Sequence, residues 1–240
     1  MNDIDILAFA AHPDDVELAA AGTLLKHKAM GHSIGIIDLT QGELGSRGSA
    51  ELRKKEAEKS AKILGLDVRE NLGFRDGFFE NNEEHQLKII ETIRKYRPKI
   101  ILANAVNDRH PDHGKAAKLV HDASFLSGLI KVKTLMEGKT QAPHRPAKLF
   151  HYIQDNYFTP DFVVNIDDFF EKRKESTLAF SSQFYTKDSD DKVKTPISGE
   201  DFLHFLEGRA RQYGRISNCE FGEGFTCPSG FGVNNLFDLH

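Results

Sequence analysis

Short apolar runs alternate with helical patterns along the first half of this chain, and that alternation constrains its fold more than any other feature. Ile4 to Ala11, Ser33 to Leu39, Val68 to Leu72 and Lys99 to Ala103 read as buried strands. Val16 to Met30, Glu51 to Leu64, Glu83 to Tyr96 and Gly114 to Phe125 carry helical spacing, and Gly31, Gly65 and Arg97-Pro98 mark the stops of the first three. Strand, helix, strand units joined right-handedly build a parallel sheet, so the expected class is α/β. Ligands of such sheets bind at the loops that follow the carboxyl ends of the strands.

Two of those loops carry the same tripeptide. Ala11-His12-Pro13-Asp14-Asp15 follows the first strand, and Arg109-His110-Pro111-Asp112-His113 follows the strand that ends near Ala105. A lone His-Pro-Asp is commonly a turn, and Asp14 or Asp15 suits a helix N-cap. Two copies at matched stations argue for chemistry instead. An imidazole and two carboxylates within four residues are costly to bury without a positive partner, and a divalent metal is the simplest one. If the two strands are neighbours, His12, Asp15 and His113 converge as a ligand set with one position open, as expected of a catalytic zinc. Asp14, adjacent to Asp15, then faces the open position. Iron(II) suits the same three ligands. Dinucleotide binding is excluded, because the first loop has no G-x-G-x-x-G and places negative charge where a pyrophosphate would sit.

The second strand leads into a glycine-bearing loop, Thr40 to Ala50, at the same edge. Arg47 within it and Arg53 on the next helix are candidate forks for a carboxylate or phosphate. The alternative for Arg53 is a solvated cation pairing with Glu51 or Glu56. Beyond Ser127 the pattern dissolves into a long loop reaching Pro146. Strands are expected at Lys148 to Ile153 and Phe162 to Asn165. A helix capped by Asp167-Asp168 should run to about Phe180, a polar loop span Asp188 to Thr195, and a last helix run from Glu200 to Tyr213, stopped by Gly214.

With 240 residues the chain suits one α/β domain, residues 1–126 forming a core with the metal site and 127–240 a C-terminal elaboration. A net charge of -4 gives no reason to expect nucleic acid or an anionic membrane as partner. No run approaches the ~18 apolar residues of a spanning helix. Met1 to Asp5 is acidic where a signal peptide would be basic, so a cytoplasmic location is expected. Cys219 and Cys227 have no usual zinc spacing and receive no role.

The paired motifs resemble the signature of the LmbE/PIG-L zinc-dependent N-deacetylases. The likeness continues through Gly42 to Gly48, Arg53 to Glu56, Lys148 to Tyr152, Pro160 to Val164, Ser182 to Phe184 and Gly222 to Phe225, and so covers almost the whole chain. It implies a three-layer α/β/α Rossmann-like fold with a mostly parallel central sheet and a smaller C-terminal α+β subregion. The fuller set is most similar to the bacillithiol branch, which removes the acetyl group from N-acetylglucosaminyl malate. The resemblance assigns His12, Asp15 and His113 to zinc, Asp14 to the general base, His110 to a cationic electrophile beside the substrate carbonyl, and Asp112 to orienting His110. It assigns Arg53 to the substrate, with Arg47 and Glu43 as further contacts. Some relatives carry a tyrosine two residues before the counterpart of His110; Asp108 stands there. The implied partner is a small N-acetylglucosaminide, and the implied assembly a homo-oligomer. Rival activities on the same residues are a chito-oligosaccharide deacetylase and a thiol-conjugate amidase. A metal-stabilised sugar-binding module would have no use for Asp14 or for the His110 and Asp112 pair.

Overall fold

A computed structural model describes residues 3–184, 193–230, 232, 233 and 235. Five strands form the parallel part of one sheet: β1 (Ile6–Ala10), β2 (Ile34–Thr40), β3 (Val68–Phe74), β4 (Ile100–Ala103) and, after a two-residue hairpin pair β5 (Leu135–Met136) and β6 (Lys139–Thr140), β7 (Lys148–Tyr152). The last two strands, β8 (Phe162–Asn165) and β9 (Gly222–Thr226), extend that sheet, and β9 runs antiparallel to both β7 and β8. The resulting order is β3-β2-β1-β4-β7-β9-β8.

Alternation within β1 explains the layers. Leu7 and Phe9 face one apolar cluster with Ile90 and Ile93 of α4 (Glu83–Tyr96) and Leu119 and Val120 of α5 (Pro111–Leu126). Ile6, Ala8 and Ala10 face another, with Val16 of α1 (Asp15–Ala19), Leu24 of α2 (Ala21–Ala29) and Leu64 of α3 (Ala50–Leu64). A strand buried on both faces reads as an uninterrupted apolar run, which is how β1 appears in the sequence. Helix α6 (Phe170–Leu178) and helix α7 (Glu200–Ile216) bring the C-terminal phenylalanines inward, Phe180, Phe184 and Phe202 among them. Among the described residues no helix is long and apolar enough to cross a membrane.

Several boundaries differ from the sequence reading, each for a local reason. The helix expected from Val16 to Met30 breaks at Ala20, whose φ is -142°. The restart gives α2 its own N-terminus, where the Gly22 and Thr23 N–H groups donate to the two oxygens of Glu223 at 2.9 and 2.7 Å. Helix α5 starts at Pro111 rather than Gly114, with His110 as N-cap, because proline suits the first helical position. Asp167 and Asp168 do not cap α6; they lie in a 3-10 turn, and Asp167 accepts from the Phe221 N–H at 2.7 Å. Gly214 does not stop α7. It lies inside the helix, at a point that admits no side chain because the Glu220 carbonyl passes 2.5 Å from where a Cβ would stand. The loop expected from Ser127 to Pro146 holds the β5–β6 hairpin, turned through Glu137 and Gly138, both at positive φ. Up to position 192, the polar stretch expected from Asp188 lies outside the described residues.

Candidate active site

β1 and β4 are hydrogen-bonded neighbours, with Ile6 opposite Ile100. The chain leaves β1 for β2 on one side and later returns to β4 on the other, so the carboxyl ends of β1 and β4 form the switch point of the sheet. Both histidine loops open there. The ring centroids of His12 and His110 are 4.7 Å apart, and those of His12 and His113 5.7 Å. A cavity of about 310 Å³ covers them, in the size range of a small-ligand site.

Two of the imidazoles use one nitrogen on a carboxylate and turn the other towards Asp15. His12 Nε2 lies 3.0 Å from Asp76 Oδ1, and its Nδ1 is 3.8 Å from Asp15 Oδ2. His113 Nδ1 lies 2.5 Å from Asp108 Oδ2, and its Nε2 is 3.0 Å from Asp15 Oδ1. A neutral ring that gives its proton to the outer carboxylate presents a lone pair to Asp15, which is also an acceptor. Such pairs repel until positive charge stands between them. The demand is visible in the rings. Burial opposes the proton on His12, but Asp112, Asp76 and Asp15 outweigh it and raise this group to about 10. His113 is likewise raised to about 9, Asp15 and Asp108 overcoming burial.

A divalent cation meets the same demand. Donor atoms around a tetrahedral zinc stand about 3.3 Å apart; His113 Nε2 is 3.0 Å from Asp15 Oδ1, and His12 Nδ1 is 3.8 Å from the other oxygen, Oδ2. Carboxylates behind the imidazoles, as Asp76 and Asp108 are here, commonly support metal-bound histidines. Asp15 is itself fixed, Oδ2 by the His12 N–H and Asn104 Nδ2 at 3.0 and 2.9 Å, and Oδ1 by Gln154 Nε2 at 3.0 Å. Among the described residues, the groups of three that bring donors within 4.8 Å of one another are His12 with His110 and His113, and His12 with Asp76 and Asp112. The second is tied to the turn after β3, whose Gly77 N–H donates to Asp112 at 2.8 Å, and to the loop after β2, whose Leu44 N–H donates to Asp76 at 3.0 Å.

Asp14 turns elsewhere. Its φ of 131° lies where side-chain-bearing residues are strained. Arg53 steadies that turn, Nη1 donating to Pro13 O at 3.2 Å and to Asp14 Oδ2 at 3.4 Å. Burial pushes the Asp14 carboxyl up to about 7, against the pull of Arg53. Gly42 makes room for this arginine, since a Cβ there would stand 2.9 Å from Nη1.

Three sequence expectations need correction. The Asp112 carboxylate does not orient His110: His110 Nδ1 accepts from the Asp112 backbone N–H at 3.3 Å, while the carboxylate faces His12 Nε2 at 3.4 Å. Nor is His110 held cationic. Burial and the nearby His12 and His113 keep it below the ordinary imidazole range, and with Nδ1 accepting, its neutral ring offers a donor at Nε2. Arg47 and Glu43 do not line the cavity. Arg47 donates to Gln183 O at 3.4 Å, and Glu43 accepts from the Asp76 N–H at 2.8 Å, so both support loops. Arg53 does line the cavity, but its contacts are with Pro13 and Asp14.

Sequence reasoning passed over Asp76, Asn104 and Gln154. All three follow the carboxyl ends of sheet strands, the position that had singled out the histidine loops. It also passed over Arg209, which lines the cavity from α7. Arg209 falls in step with the buried Phe202, Leu206 and Tyr213, a cation within an apolar helical stripe.

Fold and site together are those of a doubly wound α/β protein with carboxylate-backed imidazoles at its switch point. Residues 7–124 match the family described as PIG-L, GlcNAc-PI de-N-acetylase. The chain is 29% identical over 243 residues to diacetylchitobiose deacetylase of Thermococcus kodakarensis, covering 95% of this chain and 85% of that one. It is 27% identical over 203 residues to a probable N-acetyl-alpha-D-glucosaminyl L-malate deacetylase 2 of Bacillus anthracis, covering 78% and 84%. A crystal structure of a conserved protein from Thermus thermophilus matches with a TM-score of 0.83 at 38% identity, over 96% of this chain and 98% of that one. The chain belongs to the PIG-L/LmbE family.

Proposed function

We propose that this protein is a metal-dependent N-deacetylase of an N-acetylglucosamine derivative, with N-acetyl-α-D-glucosaminyl L-malate as its substrate. The observation that carries the reading is the pair of imidazoles, each backed by a carboxylate and each turning its second nitrogen to Asp15. His12, Asp15 and His113 would hold the ion. A divalent cation bound there polarises an amide carbonyl and acidifies water, the two deficits that make an acetamide inert.

The residues of the chain supply the rest. Asp14 adjoins the ligand set and lines the same cavity, placing it to take a proton from the attacking water as general base. His110, also in the lining, offers Nε2–H to the oxyanion that forms as the water oxygen bonds to the carbonyl carbon. As the C–N bond breaks, Asp14 returns its proton to the departing nitrogen, leaving acetate and a free amine. Arg53 keeps Asp14 in place through the strained turn.

Diacetylchitobiose is the second reading, supported by the broad match to the Thermococcus deacetylase. The test is metal analysis of the purified protein together with free-amine detection on both substrates. A bound divalent cation and amine release from the malyl glycoside are expected. Amine release from neither substrate by metal-loaded protein overturns the deacetylase reading; release from chitobiose alone moves it to the second substrate.

A further inference from the structure

The cavity has one wall rich in carboxylates and another that carries an uncompensated cation. Arg209 is only 9% exposed, and its guanidinium donates to the backbone carbonyls of Gln154 and, at 2.6 Å, of Leu18. Among the described residues it has no ion pair with a carboxylate. Its buried neighbour Arg173 also donates to Leu18 O and takes the nearby Glu223, with Nε 3.2 Å from Oε1. Both Glu223 oxygens are further engaged by the start of α2. Asp155, which also lines the cavity, is paired with Arg109. Of these two buried guanidiniums, only Arg173 has a carboxylate at ion-pair distance among the described residues, and only Arg209 reaches the cavity.

A buried charge without a partner is among the costliest groups a fold can keep, and carbonyl dipoles offset that cost only in part. Two of the five N–H donors of Arg209 are used on the carbonyls, which leaves a planar fork for an oxyanion. Gln154 fixes where that oxyanion stands relative to the chemistry, because its carbonyl receives Arg209 while its side-chain amide holds Asp15. We propose that Arg209 is a specificity-determining residue that binds an anionic group, carboxylate or phosphate, on the aglycone of the N-acetylglucosaminide. This rests on the deacetylase reading and adds to it a preference for acidic over neutral glycosides. Arg53, the arginine that sequence suggests for that task, is engaged with Pro13 and Asp14.

The experiment uses metal-loaded protein and three α-glycosides of N-acetylglucosamine, with malate, glycerol phosphate or glycerol as aglycone. The wild type is expected to favour at least one acidic glycoside over the glycerol one in kcat/KM, and the preferred acid reports whether carboxylate or phosphate is recognised. Arg209→Gln should reduce that preference about 10- to 100-fold, the worth of charge-assisted hydrogen bonds, and Arg209→Lys should retain part of it. L-malate alone should inhibit the wild type competitively, a measurement that does not depend on any variant folding. Equal kcat/KM on all three glycosides with no inhibition by malate overturns the anion subsite and leaves the deacetylase reading intact. An unchanged preference in a folded Arg209→Gln protein overturns the role of Arg209. No amine from any glycoside overturns the deacetylase reading itself.

Discussion

Asp108 holds His113 from behind: the carboxylate takes Nδ1 of the ring and leaves Nε2 aimed at Asp15. Its other oxygen accepts from the Asn156 N–H at 2.7 Å, so the aspartate is anchored to the segment after β7. Orientation of one imidazole thus depends on the registry of two neighbouring strands.

If His12, Asp15 and His113 hold a divalent cation as proposed, replacing Asp108 by Asn should weaken its binding without removing a ligand. A fall of about 10- to 100-fold in affinity is expected, measured by competition with a chromophoric chelator. Undiminished affinity would mean that Asp108 does not support the site.

Asp14 separates catalysis from stability. Asp14→Asn should keep the metal and lose about 10²- to 10⁴-fold in kcat. Asp14→Gly should be equally inactive yet melt at a higher temperature than Asp14→Ala, by roughly 1 kcal/mol of stability, because both variants lose the partner of Arg53 and only glycine relieves the positive φ. A melting temperature for the glycine variant no higher than that of the alanine one would show that the turn carries no strain.

Arg53 tests whether an arginine in the cavity is a clamp on substrate or on protein. Its contacts with Pro13 and Asp14 predict that Arg53→Met lowers kcat by a similar factor on acidic and neutral N-acetylglucosaminides. A loss confined to acidic ones would return Arg53 to the substrate.

Acid sensitivity has an identifiable contributor away from the site. Lys99, with Nζ 2.7 Å from Oδ1, and the Ser33 N–H hold Asp5 down from 3.8 to about 2. The folded value lies below the unfolded one, so this group stabilises the fold above the ordinary carboxylate range and ceases to as pH falls towards 2. Asp5→Asn should flatten the loss of stability over that window in urea melts. An unchanged slope would assign the acid transition to other carboxylates.

The sheet and the two histidine loops were legible because strands buried on both faces leave continuous apolar runs, and because chemistry at a switch point follows directly from strand order. His12 and His113 both approach Asp15, at 3.8 and 3.0 Å, because the strands that carry the two loops are neighbours. The supports were not legible, since each depends on contacts across the sheet: Asp76 reaches His12 over 64 residues, and Asn104 reaches Asp15 over 89. Proximity in sequence misled at Asp112, where the backbone rather than the side chain meets His110. The break at Ala20 was invisible for the same reason, its stabilising carboxylate lying some 200 residues downstream.

That distant carboxylate bears on how the protein is made. During synthesis both histidine loops leave the ribosome long before Glu223 does, and until it arrives α2 has bare N–H groups and β7 lacks its antiparallel neighbour. Completion of the fold around the histidine loops therefore waits for a segment that follows the second of them by 110 residues. A polypeptide ending just upstream of Glu223 would lack those contacts, and should resist protease less well than the longer chain, even though it carries His12, Asp14, Asp15 and His113.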